Sequence, residues 1–255
     1  MLFFFFYLLL GSLFCSADIE MPKRPTATPQ RTTSPAPYLA PAIEARSTAA
    51  KRKKSDEQLR LEIMGLVNVQ DIDADIQVRL AYAGNQNLLG VQLYNGLNEA
   101  YLQPDAAWKL AIAQKVIKGT RRNLSILVHD AARPQHVQQR CWELAGQRNM
   151  QYLFSNPDNI SMHTYGVAID VSLIDTNTGL ELDMGCPVDA PGVLAAPRYE
   201  ENMIADGRLT IEQFDNRTLL RNAMTFAGFS TISNEWWHFE ACSRQSAEAL
   251  YKPIP

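Results

Sequence analysis

The stretch Ser161-Met162-His163-Thr164-Tyr165-Gly166-Val167-Ala168-Ile169-Asp170-Val171-Ser172-Leu173 decides how this chain reads. From Val167 onward it alternates. Val167, Ile169, Val171 and Leu173 face one way, while Ala168, Asp170 and Ser172 face the other. A period of two predicts a strand with one apolar face. His163 then falls at the end of the loop that feeds the strand, and Gly166 lets the backbone bend so that His163 and Asp170 converge. Imidazole and carboxylate are both good zinc ligands.

A second segment completes the set. In Glu235-Trp236-Trp237-His238-Phe239, a strand beginning near Trp237 sends Trp237 and Phe239 into the core and His238 to the other face. Glu235 is then left in the preceding turn, close to the metal. Two imidazoles and one carboxylate leave a fourth position for water, as hydrolytic zinc sites require. A carboxylate beside that water can take its proton and later hand it to a leaving amine. Alone, a histidine among aromatics is usually a satisfied core residue, and an aspartate on a strand often pairs with arginine. The two segments together, with Glu three residues before His238, argue for catalysis.

Working outward, Ile76 to Ala83 alternates and predicts a strand before a loop from Gly84 to Gly90. Pro104 and Asp105 open a helix whose apolar positions Ala106, Leu110, Ala113 and Ile117 recur at helical spacing, with Gly119 at its C′ position. Leu124 to Val128 reads as a strand running into a helix that starts at Pro134 and reaches about Gly146. Thr210 and Gln213 form a capping box for a helix near Ile211, a helical stretch ends at Ala227-Gly228, and Phe229 to Cys242 holds the last strand. Helices and short strands without a βαβ rhythm predict an α+β domain on a mainly antiparallel sheet flanked by helices.

The folded domain is expected over residues 59–255. Ahead of it, Leu2 to Leu10 is almost wholly apolar and precedes Cys15-Ser16-Ala17, which suits a signal peptide over residues 1–17 and export, to a periplasm, although no basic residue precedes the apolar run. Lipid anchoring at Cys15 is opposed by the bulky Phe14; an uncleaved membrane anchor is the other alternative. Residues 18–58 carry six prolines among Ser, Thr and Ala and the basic run Lys51-Arg52-Lys53-Lys54, a linker that cannot bury enough apolar surface to order itself. Signal removal leaves Cys141, Cys186 and Cys242, an odd number that allows at most one intramolecular bridge. A net charge of -3 with no basic stripe excludes a nucleic-acid partner, and no membrane domain is expected once the signal is cleaved. Oligomeric state is left open.

These residues carry a family resemblance. The SxHxxGxAxD and ExWH segments resemble the two signatures of the zinc D-Ala-D-Ala peptidases, dipeptidases and carboxypeptidases alike. The Trp236-Trp237 doublet is closer to the VanX-type dipeptidases, as are Leu80-x-Tyr82-Ala83 with Asn87 and Gly90, Asp130-x-x-Arg133-Pro134, and Asp183-Met184-Gly185 followed by Asp189. The resemblance spans about Ile76 to Phe239 and implies a hedgehog/DD-peptidase-like fold with a single Zn2+ in a cleft on the sheet. By position it implies His163, Asp170 and His238 as metal ligands, Glu235 as catalytic base, and Arg133 as the group that stabilises the oxyanion. It further implies Ser161 and Asp189 as receivers of the substrate's ammonium, although Cys186-Pro187-Val188 departs from the family pattern just before Asp189. His129 and His136 lie outside the motifs and read as structural.

The leading expectation is therefore a dipeptidase for free D-alanyl-D-alanine in peptidoglycan-related metabolism. One rival is a D,D-carboxypeptidase that trims peptidoglycan stems; another is a catalytically silent zinc domain that binds wall peptide. Glu235 and Arg133 speak against the silent domain, because binding alone needs neither.

Overall fold

The structure, a computed structural model, describes residues 54–255. The expected signal segment, and the linker as far as residue 53, lie outside the described residues. Within them the elements run α1 (Asp56–Ile63), β1 (Val67–Asn68), α2 (Val69–Ile72), β2 (Gln77–Val78), β3 (Tyr101–Leu102), α3 (Pro104–Thr120), β4 (Leu124–Asp130), α4 (Gln135–Gln147), β5 (Ala168–Asp175), β6 (Leu180–Glu181), α5 (Glu200–Ala205), α6 (Ile211–Phe226), β7 (Ser230–Thr231), β8 (His238–Glu240) and α7 (Arg244–Leu250). This is an α+β domain. No helix among the described residues is long and apolar enough to cross a membrane.

Capping boxes open two of the helices. Ser55 Oγ accepts from the Gln58 N–H at 3.2 Å while Gln58 Oε1 accepts from the Ser55 N–H at 2.7 Å. Helix α1 thus starts inside the stretch expected to be linker. Thr210 and Gln213 make the same reciprocal pair at the start of α6, at 2.9 and 3.1 Å, as their spacing predicts. Each box satisfies two backbone donors that the first helical turn leaves without a partner.

The main sheet has the order β2-β4-β5-β8-β7, with β6 also paired to β5. It is mixed: β2 pairs with β4 in parallel, and the other pairings are antiparallel. β1 and β3 form a separate antiparallel pair. The central β5 carries the alternation read from sequence, with Val167, Ile169, Val171 and Leu173 fully buried. Its polar face is buried too, Asp170 to 3 % exposure and Ser172 to 1 %. Helices α3 and α6 pack on each other and on β4 and β5.

Two local expectations are corrected. Ile76 to Ala83 is not one strand: only Gln77–Val78 pairs, and Ala81–Ala83 coils into a 3-10 turn. The Tyr82 carbonyl accepts from both Leu93 and Tyr94 N–H at 2.9 Å, which curls the chain away from the sheet. Gly119 does not terminate α3, which continues to Thr120, whose hydroxyl donates to the Val116 carbonyl at 3.0 Å. Phe229 to Cys242 holds the last strand, β8, as expected, together with a second short strand, β7, across the loop that holds Glu235. Among the described residues the cysteines, Cys141, Cys186 and Cys242, are unbridged. Cys141 is deeply buried in α4, which pushes its thiol up to about 12.

Candidate metal centre and substrate cleft

His163 sits in a 3-10 turn, Met162–Tyr165, opened by Ser161, whose hydroxyl accepts from the His163 N–H at 3.3 Å. Gly166 closes the turn at φ +71, in the left-handed region that favours glycine. A Cβ there would also meet Leu66 Cδ2 at 2.8 Å. The chain then enters β5, where Asp170 lies directly across from His238 of β8.

The three side chains converge. His238 Nδ1 lies 2.9 Å from Asp170 Oδ1 and 3.2 Å from His163 Nε2, which is itself 3.3 Å from Asp170 Oδ2. One ligand atom from each falls within 4.8 Å of the others. His163 Nδ1 faces the Ala131 carbonyl at 2.7 Å, and since a carbonyl only accepts, that nitrogen carries the proton. Nε2 therefore presents its lone pair to the cluster. On the far side of His238, Nε2 lies 3.6 Å from Glu240 Oε1, which orients the ring. Two imidazoles and a buried carboxylate aimed at one point are a donor set that fits Zn2+. Burial lowers the His238 pKa, but its contacts with Asp170 and Glu240 prevail and push it up to about 10. Burial raises that of Asp170, yet the two imidazoles hold it well below the usual carboxylate range.

Arg133 stands beside this cluster, its backbone N–H donating to the His163 carbonyl at 3.0 Å. Its guanidinium is fastened on several sides: Nε and Nη2 donate to Asp130, Nε at 2.7 Å, and Nη1 donates to Gln138 at 2.8 Å. Nη2 also lies 3.8 Å from Asp170 Oδ2, and the ring of Tyr82 backs the guanidinium at 5.1 Å. A register shift between Val128 and Asp130 leaves His129 out of the ladder and sets Asp130 opposite Asp170. Burial opposes the charge on Arg133, but Asp130, Tyr82 and Tyr94 together outweigh it and raise its pKa.

Glu235 is half-buried in the turn before β8. Burial pushes its carboxyl up to about 7; His238 opposes that shift, and Asp170 and Asp189 add to it. Asp189 follows the Cys186-Pro187-Val188 departure at φ +63, with its carboxylate accepting from the Tyr82 hydroxyl at 3.1 Å. Burial raises it to about 6, with a further push from Asp170. Cys186 itself is anchored, its sulfur accepting from Trp236 Nε1 at 3.4 Å. A groove of about 250 Å3 runs past Ser161, Glu235 and His238. Asp189 is not among the residues that line it.

A family model described as D-ala-D-ala dipeptidase matches residues 62–253. The chain belongs to that family. Among similar proteins is a D-alanyl-D-alanine dipeptidase of Escherichia coli (strain K12), 31% identical over 175 residues, covering 69% of this chain and 83% of that protein. A D-alanyl-D-alanine dipeptidase of Enterococcus faecium is 33% identical over 79 residues, 31% of this chain and 36% of that protein.

Other residues the site uses were not assigned a role from sequence. Tyr82 looks like one more inward position of an alternating run, and Tyr94, which donates to Asp130, stands in a loop without periodicity. Gln138 and Glu240 carry no signal beyond being polar next to a motif. His129 and His136 lie outside the His163/Asp170/His238 cluster: His129 Nε2 contacts Ser172 Oγ at 2.7 Å, and His136 Nδ1 contacts the Pro255 carbonyl at 3.1 Å.

Proposed function

We propose that this family member hydrolyses free D-alanyl-D-alanine, with His163, Asp170 and His238 as the ligands of a single Zn2+. The observation that carries the reading is the convergence of those three side chains near two further groups, Glu235 and Arg133, that binding alone would not need. When bound, Zn2+ supplies Lewis-acid polarisation and lowers the pKa of water. Glu235 takes the proton of the attacking water on its carboxylate and delivers it to the leaving amine, a task that suits a group held near neutrality. Arg133 donates to the carbonyl oxygen as charge develops there, and its buried ties to Asp130 and Gln138 mean that no reorganisation is needed at that moment.

Asp189, backed by the Tyr82 hydroxyl, receives the substrate's ammonium. Ser161 contributes its hydroxyl from the groove wall. A half-buried carboxylate reserved for an ammonium penalises any substrate whose amine is already acylated. The apolar run at Leu2 to Leu10 supports an exported enzyme.

The test is metal-dependent hydrolysis of D-Ala-D-Ala, its N-acetylated form, a stem pentapeptide and L-dipeptides. Cleavage of the free dipeptide should vanish with chelator, return with Zn2+, and exceed that of the N-acetylated form by roughly a hundredfold. Comparable kcat/KM for both would select the carboxypeptidase reading. No turnover on any substrate would select the silent binding domain.

A further inference from the structure

The groove beyond the metal cluster has an unassigned end. Besides Glu235 and His238 it is lined by Tyr152, Phe154, Glu240 and Arg244, among others. At about 250 Å3 it is smaller than the pockets that hold drug-sized ligands, and suits one amino-acid residue and its water. Asp189, proposed to receive the ammonium, and Tyr82 behind it do not line this groove, which leaves the groove beside Glu235 and His238 for the leaving residue of a dipeptide anchored at Asp189.

The charge of the groove poses a problem for that residue. Its lining holds two carboxylates, Glu235 and Glu240, and one side chain of the Lys/Arg type, Arg244. A leaving D-alanine ends in a carboxylate, which the two glutamates repel. Arg244 is the first residue of α7, and its side chain reaches back so that Nη1 donates to the Ile160 carbonyl, next to Ser161, at 2.8 Å. Nη1 also lies 3.8 Å from Glu248 Oε1, and the side chain remains 41 % exposed. Nε and Nη2 make no hydrogen bond among the described residues. A guanidinium held by one nitrogen, with donors left over, is arranged for a planar carboxylate.

We propose that Arg244 receives the C-terminal carboxylate of the leaving residue and sets the requirement for a free C-terminus. This rests on the dipeptidase reading. The experiment measures kcat and KM for D-Ala-D-Ala and for its C-terminal amide in the wild-type, Arg244→Ala and Arg244→Lys proteins, with zinc content recorded for each. The wild type should favour the acid by roughly tenfold to a hundredfold, the worth of a charge-assisted hydrogen bond. Arg244→Ala should erase that preference by raising KM for the acid while leaving the amide and the zinc content unchanged, and Arg244→Lys should restore part of it. An equal loss on acid and amide would show that Arg244 acts only through Ile160, and an unchanged preference would show that it is not the receptor; either overturns the assignment alone. No turnover by the wild type on either substrate would overturn the dipeptidase reading, and the assignment with it.

Discussion

Arg133, beside the His163/Asp170/His238 cluster, and Arg244, in the groove wall, are held in contrasting ways. Arg133 is 8 % exposed in its side chain, with Asp130, Gln138 and the Tyr82 ring around it. Arg244 is 41 % exposed and holds one carbonyl. The surroundings follow the same division. Behind Arg133, Tyr94 and the Ala131 N–H donate to Asp130, so the whole assembly is buried and satisfied. The groove that Arg244 lines includes a short 3-10 turn, Gln151–Leu153, with Tyr152 75 % exposed. A group that must meet developing charge gains from being fixed in advance, whereas a group that must admit and release a product gains from remaining solvated.

The strongest way to break this contrast is to remove what both walls share. Asp170→Ala should strip the zinc and abolish turnover, an affinity loss beyond the 10- to 100-fold typical of changes behind a ligand; His163→Ala and His238→Ala should do the same. Metal analysis of the purified proteins checks this, and full zinc occupancy in Asp170→Ala would mean a different third ligand.

Arg133→Ala strikes the rigid wall. It should lower kcat by about 10²- to 10³-fold with zinc retained. Because Asp130 loses its cation while buried, urea unfolding should also show about 3–5 kcal/mol lost. A change confined to KM would instead make Arg133 a ground-state binder.

Glu235→Gln keeps the shape of the open wall and removes its base. Zinc content should hold while kcat falls by about 10²-fold or more. The same residue sets a pH limb. Glu235 must be ionised to accept a proton, and burial holds its pKa up to about 7. Activity is thus present above that value and is lost as pH falls through it, with bound Zn2+ drawing the limb lower. A kcat/KM profile flat between about pH 5 and 8 would remove Glu235 from the mechanism.

The smallest effect belongs to the rim. Tyr152→Ala should change stability by no more than about 0.5 kcal/mol, as expected for an exposed side chain, in sharp contrast with Arg133→Ala. A large loss on unfolding would show that the groove rim is as rigid as the wall behind Arg133.

Short-range rules carried much of this protein. Alternation from Val167 to Leu173 is enough to make β5, because a strand with one apolar face has one stable way to lie on a core. Ser161, His163 and Gly166 fold their own turn within six residues, and the capping box at Thr210 is likewise local. Trp237 and Phe239 go inward and leave His238 at the site by the same period of two. What the sequence by itself determined was therefore each half of the His163/Asp170/His238 cluster. Only the tertiary structure decided how the halves meet. Asp170 faces His238 through the β5–β8 register, and the bulge at His129 brings Asp130, and with it Arg133, against Asp170. Leu80 to Ala83 shows the limit of local pattern. Its alternation predicts a strand, yet the Tyr82 hydroxyl is taken by Asp189 from a distant loop and its carbonyl by Leu93 and Tyr94, so the chain turns instead. Propensity and periodicity act over a few residues, whereas a buried polar group must find its partner wherever in the chain it lies.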